Sequence, residues 1–203
     1  MNNIKIVSIL LMIATLILPQ RVFAATATNG PVNVSASVNG ALTLSVALKK
    51  NSSTGATVTS MDFGQLVDIG TGTLRSSPSS TTATGNVTAM ISANSHGLPY
   101  TITQTGTTLS NGATTLPSGA CTVVPVYAAL DNGGAALVGA LGTKGTWVAS
   151  GKTLYTSDAA GSIRTIQAVY SVTDDPAAGA TTGVPLNQAG GTYNGTVTFT
   201  VTA

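Results

Sequence analysis

The side chains able to do chemistry are few, and their spacing argues against catalysis. The 203-residue chain has one His, one Cys, six Asp and no Glu. His96 lies in Asn94-Ser95-His96-Gly97, a loop signature. A nucleophilic triad would need His96, an Asp and a Ser on a Gly-x-Ser-x-Gly elbow, and the chain has no such elbow. The paired carboxylates Asp174-Asp175 precede Pro176 and read as a turn. One His and one Cys are too few for a transition-metal site, so no metal and no cofactor is expected. Asp131-Asn132-Gly133 and Asp174-Asp175 lack the ligand spacing of a calcium loop. Gly142-Thr143-Lys144-Gly145 lacks that of a phosphate loop. With no internal partner, Cys121 reads as a small buried hydrophobe within Cys121-Thr122-Val123-Val124. The chain is not expected to be an enzyme.

The elements around these residues read as strands. The chain holds 34 Thr and 19 Ser, yet 43% of it is hydrophobic and only 7% charged. It is too apolar for disorder and too poor in Lys and Arg for a nucleic-acid surface. Apolar residues alternate with polar ones in Val87–Ala93, in Tyr100 and Ile102, in Val124–Leu130, in Ile166–Val172 and in Val197–Val201. Turn clusters separate them: Asn51-Ser52-Ser53, Gly70 to Pro78, Asn111-Gly112, Asn132-Gly133-Gly134, Asp174-Asp175-Pro176 and Ala189-Gly190-Gly191. Many short strands between such turns predict an all-β sandwich or barrel. No helix is expected, because glycines interrupt its one candidate, Ala128 to Leu141.

Residues 1–24 have the pattern of a secretory signal peptide: Lys5, an apolar run from Ile6 to Leu18, then Val22-Phe23-Ala24. That run is short of the ~20 residues that span a bilayer, so no membrane span is expected once the leader is cleaved. Without Lys5 and Arg21, six basic residues balance six acidic ones.

Residues 25–40 read as an N-terminal extension and 41–203 as the main domain. Val32, Val34, Ala36 and Val38 alternate with polar residues, and the even-numbered row resumes at Leu42, Leu44, Val46 and Leu48. Asn39-Gly40 suggests a tight hairpin. A two-residue loop, however, would set Val38 opposite Ala41 and Ser37 opposite Leu42, placing the two apolar rows on opposite faces. A three-residue loop restores the match. The alternative is that Val32–Val38 leaves its own domain and pairs elsewhere.

Three motifs carry a resemblance. The alternating N-terminal strand is followed by Leu42-Thr43-Leu44-Ser45, then by Met61-Asp62-Phe63-Gly64. The end is Gly191-Thr192-Tyr193-Asn194-Gly195-Thr196-Val197-Thr198-Phe199-Thr200-Val201. Together, with Ile166–Tyr170 as a penultimate strand, they resemble the spore coat U domain family, which includes subunits of archaic (Csu-type) chaperone–usher pili. The disulfide common in that family has no counterpart here. The resemblance implies an immunoglobulin-like, pilin-type β-sandwich that is incomplete and completed by a donor strand. It implies cell adhesion or coat formation by a homopolymer built through donor-strand exchange, aided by a periplasmic chaperone and an outer-membrane usher. The chain would be secreted, passing through the periplasm to a surface fimbrium. Val32, Val34, Ala36 and Val38 would then be the donor face, and Val197, Phe199 and Val201 the strand edging the acceptor groove. The alternative is a self-contained secreted β-sandwich, an adhesin or carbohydrate-binding module with Trp147, Tyr155 and Tyr193 as an aromatic platform. A Thr-faced surface binder, suggested by Thr196 to Thr202, ranks below both.

Overall fold

A computed structural model of the protein describes residues 42–76, 85–128, 138–148 and 151–203. The described residues fall within one unit, Gly40–Ala203. The leader and the candidate donor row, Val32, Val34, Ala36 and Val38, lie outside them.

The described chain is all-β. Its strands are β1 (Thr43–Lys50), β2 (Thr57–Val58), β3 (Leu66–Asp68), β4 (Thr73–Ser76), β5 (Val87–Asn94), β6 (Thr101–Gly106) and β7 (Cys121–Tyr127). They continue with β8 (Ala140–Leu141), β9 (Gly145–Thr146), β10 (Lys152–Thr156), β11 (Arg164–Val172), β12 (Val184–Pro185) and β13 (Val197–Thr202). The helical elements among the described residues are two three-residue 3-10 turns, Ser118–Ala120 and Pro176–Ala178. No helix among the described residues is long and apolar enough to cross a membrane.

Three antiparallel sheets form. The largest has the order β2-β1-β5-β11-β7-β9, the second β13-β6-β10-β8 and the smallest β12-β4-β3. One buried cluster joins the two larger sheets: Ala89, Ile91 and Ala93 of β5 and Ile166, Ala168 and Tyr170 of β11, together with Ile102 of β6 and Leu154 and Tyr155 of β10. Two antiparallel layers around one core are consistent with a β-sandwich. Fully burying one such side chain is worth about 1.5–3 kcal/mol, so this cluster dominates the stability of a fold without a disulfide.

Alternation predicted the inward rows of β5 and β11, and all their members are buried. It misassigned β7. The expected inward row, Val124, Val126, Ala128 and Leu130, does not form. Val123, Pro125 and Tyr127 lie opposite Tyr170, Ala168 and Ile166, the core row of β11, while Val124 and Val126 face the other way. Both faces of this strand are apolar, so period two alone does not choose between them. Ala128 is buried beyond the strand end, and Leu130 lies outside the described residues. Pro125 is tolerated because β9 pairs only with Thr122 and Val123, leaving β7 an edge at the proline.

A second correction falls in the glycine-rich stretch from Gly70 to Pro78, expected to be a turn throughout. It contains β4, which pairs with β3 through Leu66 opposite Ser76 and with β12 through Leu74 opposite Val184. Pairing on both edges overrides the local turn signal.

Candidate functional site: an open apolar groove

The two larger sheets end unevenly along one side. β1 pairs along its whole length with β5, but on its other edge only Leu48 and Lys49 are paired, with β2. β13 terminates the second sheet and pairs only with β6. Residues 43–47 of β1 and the outer edge of β13 therefore have no ladder partner among the described residues.

Between these edges lies a groove of about 1400 Å³. Its β1 wall is Val46, Ala47 and Leu48, and the inward row of this strand, Leu44, Val46 and Leu48, stands opposite Ala93, Ile91 and Ala89. The β5 members of these pairs are buried, whereas Leu44 and Leu48 are only half-buried and Val46 is 38% exposed. The β13 wall is Val197 and Phe199, which with Val201 are half-buried against the core, while Thr198, Thr200 and Thr202 are exposed on the other face. Both walls are rows that point inward, and among the described residues no strand covers them.

The floor is aromatic. Phe63 stacks on Trp147 with ring centroids 5.0 Å apart, Trp147 lies 5.5 Å from Tyr170, and Tyr170 meets Phe199 edge-on at 6.3 Å. Four rings thus run from the 59–65 connection to the edge strand: Phe63, Trp147 and Phe199 line the groove, and the fully buried Tyr170 lies beneath them. The Met61-Asp62-Phe63-Gly64 motif makes the first of them possible. The Asp62 carboxylate accepts the Gly64 N–H at 2.9 Å, and Gly64 adopts φ +67°, a left-handed conformation that glycine takes without strain. This turn carries Phe63 onto Trp147.

A buried polar clamp holds the floor. Gln104 of β6, opposite Phe199 and 1% exposed, donates from Nε2 to the Trp147 carbonyl at 2.9 Å. Its Oε1 accepts the Tyr170 hydroxyl at 2.5 Å. Burial pushes the Tyr170 phenol far above its usual range, so it remains a donor at any ordinary pH.

One end of the groove is a polar mouth. The Tyr193 hydroxyl donates to the Ala189 carbonyl at 2.6 Å and accepts from Gln188 Nε2 at 2.8 Å. Backbone bonds between Ser110 and Asn194, at 2.8 and 2.9 Å, tie this loop to the one after β6.

The remaining candidates fall elsewhere. His96 is an exposed turn residue with φ +53°. Asp174 accepts from Thr73 at 2.6 Å and lies 3.7 Å from Arg75, and Asp175 caps a 3-10 turn through the Ala177 N–H. Among the described residues, no group of three His, Cys, Asp or Glu side chains is placed to hold a metal ion. Cys121 is fully buried, and desolvation pushes its thiol up to about 12. Trp147 and Tyr155 are core residues, at 2% and 0% exposure, so neither belongs to an exposed aromatic platform.

Of the residues expected to edge an acceptor groove, Val197 and Phe199 line this one, while Phe63 and Trp147 of the floor and Gln104 of its clamp were not expected there. Gln104 left a trace, as a polar residue at the inward parity of Tyr100 and Ile102. Comparison with protein-family models, with curated proteins and with solved structures finds no match to this chain.

Proposed function

We propose that this chain is the structural subunit of a surface fibre. In this reading it is an incomplete, immunoglobulin-like sandwich of pilin type, and residues 32–38 of a second copy complete it. The observation that carries the reading is the groove, with two unpaired strand edges and two half-buried apolar rows facing the same space.

The size and chemistry of the groove favour an extended segment over a small molecule. Its volume exceeds the ~300–1,000 Å³ usual for small-molecule pockets. An added strand would satisfy backbone donors and acceptors on the open edges while its alternate side chains fill the apolar space. The row Val32, Val34, Ala36 and Val38 has that alternation. Ala36 stands between two valines, as Phe199 stands between Val197 and Val201. A register that sets Ala36 against the Phe199 ring matches small to large at that position and valine to valine on either side. Left open, such edges are an aggregation hazard, which is the physical need a periplasmic chaperone would meet before an outer-membrane usher assembles the homopolymer. Residues 1–24 would direct the export this route requires. Donation from copy to copy gives an open filament.

The test is the state of the exported protein without its leader. Electron microscopy should show linear fibres, and excess peptide of residues 31–39 should shorten them and change the fluorescence of Trp147, the single tryptophan. A stable lone monomer, indifferent to the peptide, would instead favour the self-contained secreted module.

A further inference from the structure

We infer that the end of the domain from which the N-terminal extension leaves, carrying Leu42, Leu98 and Ile163, is a second contact between copies, seated against the opposite end of the next copy. The inference rests on the fibre reading and adds to it a contact outside the groove.

Strand register gathers these residues. Thr43 begins β1 opposite Asn94, Arg164 begins β11 opposite Ala93, and Thr101 begins β6 opposite both Thr156 and Thr202. Leu42, the 95–100 connection and the 157–163 connection therefore share one end. The two connections touch, since a Cβ on Gly161 would come within 2.1 Å of the Leu98 carbonyl, and Tyr100 donates to the Ser162 carbonyl at 3.1 Å.

Six large hydrophobic residues are exposed among those described, and one of them, Val46, belongs to the groove. Three of the other five lie at this end: Leu98 at 60%, Ile163 at 58% and Leu42 at 40%. A single exposed leucine needs no explanation, but three at one end do. Their loops are held in place. The Asp158 carboxylate accepts from the Ser162 N–H and hydroxyl, both at 2.8 Å, Ser157 accepts the Tyr100 N–H at 2.8 Å, and Ser95 bonds the Leu98 carbonyl. Loops already ordered lose little freedom when they dock.

Chain length then identifies the occupant. Four residues, Asn39-Gly40-Ala41-Leu42, separate Val38 from Thr43. At most ~3.6 Å per residue, those five steps span no more than about 18 Å. With Val38 seated in a neighbour's groove, this end is drawn against that neighbour. Pairing two identical ends would give a closed two-fold dimer, so an open filament needs the opposite end. That end holds Leu186, 52% exposed and just after β12, whose partner β4 is bonded to Val172 and Asp174 at the end of β11 away from Arg164.

The test uses the exported protein in three forms: wild type, Leu98→Asp/Ile163→Asp, and an insertion of Gly-Ser-Gly-Ser after Gly40. Neither change touches the groove or the donor row, and thermal unfolding of peptide-capped monomer checks that the fold is intact. Both altered proteins should still form fibres, with a persistence length in electron micrographs several-fold below that of wild type. Complete loss of fibres in the double variant, with peptide binding retained, would also support the contact. Fibres as stiff as wild type in both altered proteins would overturn it while leaving the groove reading standing. If wild type forms no fibre, the groove reading fails and this contact falls with it.

Discussion

Val46 stands directly opposite Ile91 across the β1–β5 ladder, on the same face of the sheet, yet Ile91 is fully buried and Val46 is 38% exposed. Residues paired in this way normally share an environment. Among the described residues the facing sheet ends at β13, and no further strand covers Val46. In the proposed assembly this exposed valine marks where the donor strand of a second copy would sit.

The clamp under the groove should matter to stability. Tyr170→Phe would leave Gln104 Oε1 buried without the hydroxyl it now accepts. The expected cost is about 1–3 kcal/mol, read from the urea midpoint. An unchanged midpoint would mean that the Gln104–Tyr170 bond contributes nothing.

Cys121 should be inert in the native state. It is fully buried, with its thiol pushed up to about 12, so almost no thiolate is present at neutral pH. A thiol reagent should label it only in denaturant, and reducing agents should leave the melting temperature unchanged. Rapid labelling of native protein would contradict this placement.

Acid should weaken the fold through two carboxylates. The Ser162 N–H and hydroxyl hold the Asp158 pKa below its usual value, and the Thr73 hydroxyl, with Arg75 behind it, does the same for Asp174. A depressed carboxylate pKa stabilises the fold above the unfolded value of about 3.9, and this contribution is lost as pH falls through the folded value. The melting temperature should drop as pH is lowered through that range, and the drop should be shallower in Asp158→Asn and in Asp174→Asn. Three identical curves would contradict the assignment.

Much of the strand framework was legible because β5, β11 and β13 are polar on one face or paired to a single core row, so period two identifies their inward sides. β7 was not, because Val123, Val124 and Val126 make both its faces apolar and only pairing with β11 distinguishes them. β4 was hidden because its glycine-rich approach reads as a turn until its partners β3 and β12 are known. The inward row of β13 was visible as the alternation of Val197, Phe199 and Val201 with threonines. The floor was not, since Phe63, Trp147 and Tyr170 are distant in sequence and meet only through the fold.

The donor face gives the sharpest comparison. Val34→Asp would put a charge into the apolar groove of the next copy, losing about 1.5–3 kcal/mol of burial and adding several kcal/mol of desolvation. In the proposed assembly Ser35→Asp changes the adjacent residue, which alternation places on the opposite face of the donor strand. Size-exclusion chromatography with electron microscopy of wild type and both variants should show polymer for wild type and Ser35→Asp. Val34→Asp should remain a monomer that still binds the 31–39 peptide and then melts at the temperature of peptide-capped wild type. A stable lone monomer for wild type, simply unfolded by Val34→Asp, would place residues 32–38 in the domain's own core and contradict the account.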